Sequence, residues 1–213
     1  MSDRTTHPFH HLPVVVVGAG PIGLAAAVHL RERGLEPLVL EAGAEAGAAV
    51  RRWGHVRVFS PWKYMVDPLA RRHLEAGGWE MPDSEALPTG AEFADRWLDP
   101  LAASLGSSVR TGTRVYSVGR WGVDKTWSAR RHELPFQIDV HGPDGHDRVL
   151  ARAVIDASGT LASPNPLGAN GAPLPGEGPE ADGFWYGIPD VLGRDRARFA
   201  GRRVLVAGSG HSA

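Results

Sequence analysis

The sequence contains no cysteine. Disulfides, thiolate metal ligands and thiol redox chemistry are therefore excluded from these residues. Neither sign of charge is in excess. The formal net charge of −1 leaves no basic footprint for nucleic acid or for an anionic membrane surface. No apolar run approaches the roughly 18 residues of a membrane helix, and the N-terminal MSDRTTHPFHH lacks the apolar centre of a secretory signal. A cytoplasmic protein acting without nucleic-acid or membrane partners is the expectation. His7, His10 and His11 cluster in that segment with no other ligand types beside them, and they read as a solvated tail.

Other absences narrow the chemistry. Position 24 is Leu where a phosphate-binding P-loop needs Lys, and no G-x-S-x-G occurs to make a hydrolase nucleophile elbow. Glycine and proline are plentiful by contrast, at 27 and 17 residues, which predicts long loops. With 213 residues and ordinary apolar content, the chain is long enough to bury a stable core.

The pattern begins with Val14–Val17, a β-branched run suited to a strand buried on both faces of a parallel sheet. Residues 22–33 then read as a helix, with Leu24, Ala25, Ala27, Val28 and Leu30 on its buried side and Gly34 placed to end it. PLVLE, residues 37–41, is a second strand ending in an acid, completing a βαβ unit. Between 43 and about 113, Pro-broken sequence predicts helices near 67–76 and 90–105. RVYSV (114–118), FQIDVHG (136–142) and RVLARAVIDAS (148–158) predict β-structure, with a hairpin over 136–156 turning at GPDG. Residues 159–201 are rich in Pro and Gly and read as a long surface connection.

Between the first strand and helix lies G18-A-G20-P21-I-G23, followed eighteen residues after Gly23 by Glu41. Each glycine has its own physical role. Gly18 makes the tight turn, Gly20 lets backbone approach a pyrophosphate, and Gly23 permits close helix packing. Pro21 opens the helix, whose N-terminus offers free N–H groups and a partial positive charge to phosphate. Glu41 is placed to accept hydrogen bonds from ribose hydroxyls. A second, similar layout closes the chain in GRRVLVAGSGHSA, where Gly208 and Gly210 match Gly18 and Gly20, and Ala213 stands in the place of Gly23.

VVVVGAGPIGLAAAVHLRERGLEPLVLEAG resembles the FAD fingerprint of the two-dinucleotide-domain flavoproteins, which include flavin-containing monooxygenases and pyridine-nucleotide-dependent reductases. AVIDASGTLASPNP (153–166) resembles the second FAD motif of that group, and GRRVLVAGSGHSA the start of its NAD(P)H-binding domain. The resemblance implies a Rossmann-like, doubly wound parallel α/β sheet with a β-hairpin or meander element. It implies FAD held by Gly18, Gly20, Pro21, Gly23 and Glu41, with Arg52, Val115, Ala157, Ser158 and Gly159 nearby, and NAD(P)H at Gly208, Gly210 and Ser212. Ala213 leans toward NADPH. The implied organisation is a flexible tail over 1–12 and an FAD-binding domain over 13–165, carrying a helical insertion at about 55–110 and a meander at about 114–156. A long connection over 166–201 would follow, and 202–213 would be the first strand and glycine loop of a truncated second domain without a competent site.

The resembling enzymes use NAD(P)H to reduce flavin, which then serves a small-molecule substrate or electron acceptor. Disulfide reductases of the glutathione-reductase type are excluded, since AGAEAGAAVRRWGHVRVFSPW carries no Cys pair. The monooxygenase motif F-x-G-x-x-x-H is matched at Gly187 but has Val191 in place of His. Arg51 and Arg52 are candidates to meet the pyrophosphate or substrate, and His55, Trp62, Lys63 and Tyr64 to line the ring pocket. A dinucleotide-binding fragment without activity of its own is the alternative.

Overall fold

The strand β1 (Val14–Val17) is flanked on both sides, which is why four consecutive valines are accommodated. The computed structural model describes residues 9–161, 163–178 and 183–208. From β1 the chain enters helix α1 (Pro21–Glu32) and returns in β2 (Pro37–Leu40), parallel to β1. Two backbone hydrogen bonds, Gly34 N–H to Arg31 and Leu35 N–H to Leu30, close the C-terminus of α1 in a Schellman motif. The buried side of α1 is Gly23, Leu24, Ala27 and Val28, narrower than the sequence predicts, because Ala25 and Leu30 lie at its margins and are half-buried.

The helical insertion comprises α2 (Ala48–Arg51), α3 (Trp62–Met65), α4 (Pro68–Ala76), α5 (Gly90–Phe93), a π turn (Ala94–Leu98) and α6 (Asp99–Leu105). Asp67 caps α4 through its carboxylate, which accepts from Leu69 and Ala70 N–H at 3.0 and 2.8 Å. Thr89 and Glu92 form a reciprocal capping box on α5. Pro100 has no N–H to offer the Arg96 carbonyl four residues back, and the Trp79 indole donates to that carbonyl at 2.8 Å instead. The predicted helices at 67–76 and 90–105 are both present, the second with this π turn inside it.

The chain after these helices is mainly β-structure up to the long connection. A short strand, β3 (Val109–Arg110), pairs parallel to β2. Next come β4 (Arg114–Arg120), β5 (Phe136–Gly142) and β6 (Gly145–Ala151), an antiparallel meander, and finally β7 (Ala153–Asp156). The run 148–158 is thus divided between two sheets, and the hairpin ends at Ala151, not at 156. Arg152 separates the two strands, its N–H donating to Pro13 at 3.0 Å, and β7 then pairs parallel to β1 in a sheet of order β3-β2-β1-β7. Apolar continuity cannot reveal such a change of partner.

Alternation along the parallel strands builds two cores. Val16 and Val39 face α1 and the helical insertion, packed with Leu24, Trp97, Leu98 and Leu101. Val15, Leu38 and Leu40 face the meander, packed with Ile138, Val140 and Ala151. The parallel sheet is therefore covered by helices on one face and by the antiparallel sheet on the other.

Among the described residues of 159–201 the chain forms a connection with one helical turn, α7 (Arg196–Phe199). Glu177 organises its first part by accepting from Leu167 and Leu174 N–H and from the Tyr186 hydroxyl. The first strand expected within 202–213 is not formed among the described residues: Val204–Val206 are exposed and belong to neither sheet. No described strand lies beside this run to pair with it.

Candidate functional site

The carboxyl ends of β1, β2 and β7 meet at one rim of the parallel sheet. β1 continues through α1 to β2 on one side, while β7 joins it from the other, so the loop after β1 sits where the strand order reverses. Crevices at such points are the usual ligand sites of open α/β sheets.

Gly18 turns the chain there with φ +99°, its N–H donating to Leu40 at 2.8 Å. A Cβ at Gly18 would lie 2.6 Å from the Ala157 carbonyl oxygen, so this loop is seated directly on the end of β7. Gly23 is the second close approach: a Cβ there would lie 1.9 Å from the Gly18 carbonyl oxygen. Gly20 is different. It has ordinary extended φ, and its Cβ would meet nothing within 4 Å. The backbone at Gly20 therefore faces an open space at the N-terminus of α1, which carries no side-chain cap and no acid in its first turn. That combination of an uncapped helix dipole and a bare backbone is complementary to a phosphate.

The Glu41 carboxylate is fixed beside this cradle. One oxygen accepts from Ala19 N–H and the other from Gly43 N–H, both at 2.7 Å. Behind it, Glu41 N–H donates to Arg110, and its carbonyl accepts from Thr113 N–H. Two of the roughly four acceptor positions of a carboxylate are thus used by backbone, and the others remain for hydroxyl donors. Ala19 is fully buried and ties Glu41 to the loop. Sequence reasoning missed Ala19 and Gly43, because their part is played by main-chain N–H groups that any residue but proline possesses.

On the other flank, Ala157 N–H donates to Val17, and Gly159 has φ +71°. The Ser158 hydroxyl and N–H both donate to Asp156, at 2.7 and 3.0 Å, and hold its carboxyl below the usual range. Val115 lies on β4, half-buried, two residues after the Thr113 that braces Glu41. Arg52 is exposed, and its carbonyl accepts from the Arg194 guanidinium at 3.1 Å. A groove lined by Pro21, Ile22, Tyr64, Met65 and Trp97 adjoins the start of α1.

Several candidates are used structurally. Arg51 donates to Asp95 at 2.5 Å and Asp99 at 2.7 Å, and its Nε lies 3.1 Å from Glu45. Trp62 is a core residue against Phe93, and Lys63 pairs with Glu85. His55 and Tyr64 are exposed. At the second glycine unit Gly208 is exposed, while Gly210 and Ser212 lie outside the described residues.

Residues 15–178 match the pyridine nucleotide-disulphide oxidoreductase family over most of the chain. The chain belongs to that family. It is 32 % identical over 173 residues to thiamine thiazole synthase of Archaeoglobus fulgidus, covering 76 % of this chain and 61 % of that protein. It is 28 % identical over 205 residues to ferredoxin–NADP reductase of Thermus thermophilus (95 % and 48 % covered), and 26 % over 216 residues to cyclopentanone 1,2-monooxygenase of Comamonas (94 % and 33 %). The chain thus spans between a third and three fifths of the length of these relatives. Among solved structures, a flavin monooxygenase from Stenotrophomonas maltophilia is 30 % identical with a TM-score of 0.52, over 69 % of this chain and 38 % of that one. Bacillithiol disulfide reductase from Bacillus cereus, at 24 % identity and a TM-score of 0.54 over 72 % and 41 %, shares the fold. The family's disulfide chemistry has no counterpart among these residues, which include no cysteine.

Proposed function

We propose that this chain is the FAD-binding portion of an NAD(P)H-dependent flavin oxidoreductase, monooxygenase-like or reductase-like, acting on a small-molecule substrate or electron acceptor. The observation that carries the reading is the cradle at Gly20: open space at an uncapped helix N-terminus, between a turn closed by Gly18 and Gly23 and an acid anchored at the end of β2. A dinucleotide needs those three things together, a diphosphate seat, a close backbone and a ribose acceptor. The ferredoxin–NADP reductase and the flavin monooxygenase among the similar proteins support the choice of a flavin and NAD(P)H.

In this reading Gly18, Gly20, Pro21 and Gly23 receive the diphosphate and Glu41 orients the ribose. Ala157, Ser158 and Gly159 border the cofactor at the end of β7, and Arg52 and Val115 approach it from the side. FAD, when bound, supplies a hydride-accepting ring that no side chain here can replace. The protein's share is binding and orientation, and Asp156 is kept ionised beside the seat by Ser158. Gly208, Gly210 and Ser212 would meet the pyridine nucleotide, with Ala213 favouring NADPH. A cytoplasmic setting suits a reaction that consumes NAD(P)H.

The exposure of Val204–Val206 favours a second reading, in which the chain is a dinucleotide-binding fragment without turnover of its own. Two measurements separate the readings. The first is FAD uptake by the purified chain, followed by flavin absorbance after desalting; the second is NADPH oxidation by the FAD-loaded chain. Retained flavin with steady NADPH oxidation supports the oxidoreductase. Retained flavin without oxidation supports the binding fragment, and a chain that takes up no FAD overturns both.

A further inference from the structure

The outer face of the meander carries a feature unrelated to the dinucleotide cradle. His141 on β5 and His146 on β6 are directly opposite one another, one pair before the Gly142 and Gly145 that close the hairpin. Ile138 and Val140 point from β5 into the core, and His141, one residue on, falls on the opposite, exposed face. The two imidazole rings stand 4.7 Å apart at 61°, with the Tyr116 ring 5.5 Å from His146. Among the described residues, no hydrogen bond engages a ring nitrogen of either histidine.

We propose that His141 and His146 form a two-imidazole site for a divalent transition-metal ion such as Zn2+. What points to a ligand is their placement: two exposed imidazoles held as a register pair, with ring nitrogens that no described group engages. With Zn–N bonds of about 2.1 Å and a ring nitrogen about 1.1 Å from its ring centre, two imidazoles on one ion hold their centres about 5.2 Å apart at the tetrahedral angle and about 4.5 Å apart at a right angle. The observed separation falls between those values, and a short hairpin fixes it in advance. Imidazole is a ligand suited to zinc, copper and nickel. Among the described residues no third His, Asp or Glu converges on the pair, so water completes the coordination. Asp139, two residues from His141 on the same face, is held by Arg148 at 3.0 Å and by Gln137. Arg114 is the register partner of His141 on β4 and places a like charge beside the site, which limits its affinity. The ion would clamp β5 to β6 and stiffen the meander that forms one wall of the second core.

The test is calorimetric titration of the full chain with Zn2+, in the wild type, in His141→Ala, in His146→Ala and in a His7→Ala/His10→Ala/His11→Ala variant that removes the N-terminal histidines. Both hairpin histidines are exposed, and circular dichroism will verify that each variant is folded. The expected result is one saturable site, weakened by about tenfold or more in each hairpin variant and retained in the N-terminal variant. Absence of saturable binding in the wild type, a titration unchanged by His141→Ala or His146→Ala, or loss of the site in the N-terminal variant alone would overturn the proposal.

Discussion

Val14–Val17 and Val204–Ala207 carry nearly the same instruction, a short apolar run leading into Gly-x-Gly, and they end in opposite environments. Val15 and Val16 are fully buried, while Leu205 is 91 % exposed. The first run has β2 and β7 beside it and a core on each face; the second has neither among the described residues. A strand is a pairing, not a composition. Its backbone groups and side chains are stabilised by neighbours that the run itself does not encode. The glycines differ in the same way, since Gly18 is wedged against Ala157 whereas a Cβ at Gly208 would meet nothing within 4 Å.

Substitution can break or sharpen this contrast, and the largest effect is expected at Gly23. Gly23→Ala drives a Cβ toward the Gly18 carbonyl and is expected to cost about 3 kcal/mol or more, as strong overpacking does. Denaturant unfolding will measure it, with Gly208→Ala as its counterpart at about 1–2 kcal/mol, a cost that comes from the positive φ of +131° and not from a contact. Next, Val16→Ala is expected to lose about 2 kcal/mol of buried apolar contact, against less than about 0.5 kcal/mol for Leu205→Ala. Equal losses at the two runs would mean that the second run is packed in solution.

Smaller effects separate residues that hold the fold from residues that hold a ligand. Asp67→Ala removes the cap of α4 and the partner of His29, whose Nε2 lies 3.1 Å away, and should cost about 1 kcal/mol. Burial pushes the Asp67 carboxyl upward, but hydrogen bonds from Ala70 N–H and His29 outweigh it, so the folded carboxyl titrates below its ordinary value. Its contribution is then complete above the unfolded pKa of roughly 3.9 and is lost as pH falls through the lower folded value. The wild type should accordingly lose more stability than Asp67→Ala in that acid window. Arg51→Leu, with three exposed or half-exposed acidic partners, is expected to cost about 1 kcal/mol and to leave FAD affinity unchanged, which calorimetry can check.

These cases show what the sequence could disclose. The βαβ unit was legible because period, glycine spacing and terminal acid all lie within thirty residues of one another. The helices near 67–76 and 90–105 were also expected, but their caps Asp67 and Thr89 were not singled out and emerge only from the folded hydrogen bonds. Arg51 could not be read, because its partners Asp95 and Asp99 lie more than forty residues away and reach it only through packing of the helical insertion. The break at Arg152 was equally silent: 148–158 reads as one mostly apolar run, and only the sheet decides that one half pairs with β5 and the other with β1. At the candidate site, the glycines and Glu41 were identifiable by type, whereas the N–H donors of Ala19 and Gly43 depended on the folded loop.

The central claim is that the open space at Gly20 is a phosphate seat and not idle surface. Gly20→Val tests it most directly, because the backbone there has ordinary φ and a Cβ would meet no protein atom within 4 Å. Because Gly20 is the N-cap of α1 and Val is a poorer cap, unfolding stability should fall by no more than about 1 kcal/mol. FAD affinity, measured by equilibrium dialysis on the same samples, should fall by about a hundredfold or more, corresponding to about 2.7 kcal/mol. A Gly20→Val chain that remains folded and binds FAD as tightly as the wild type would contradict the account.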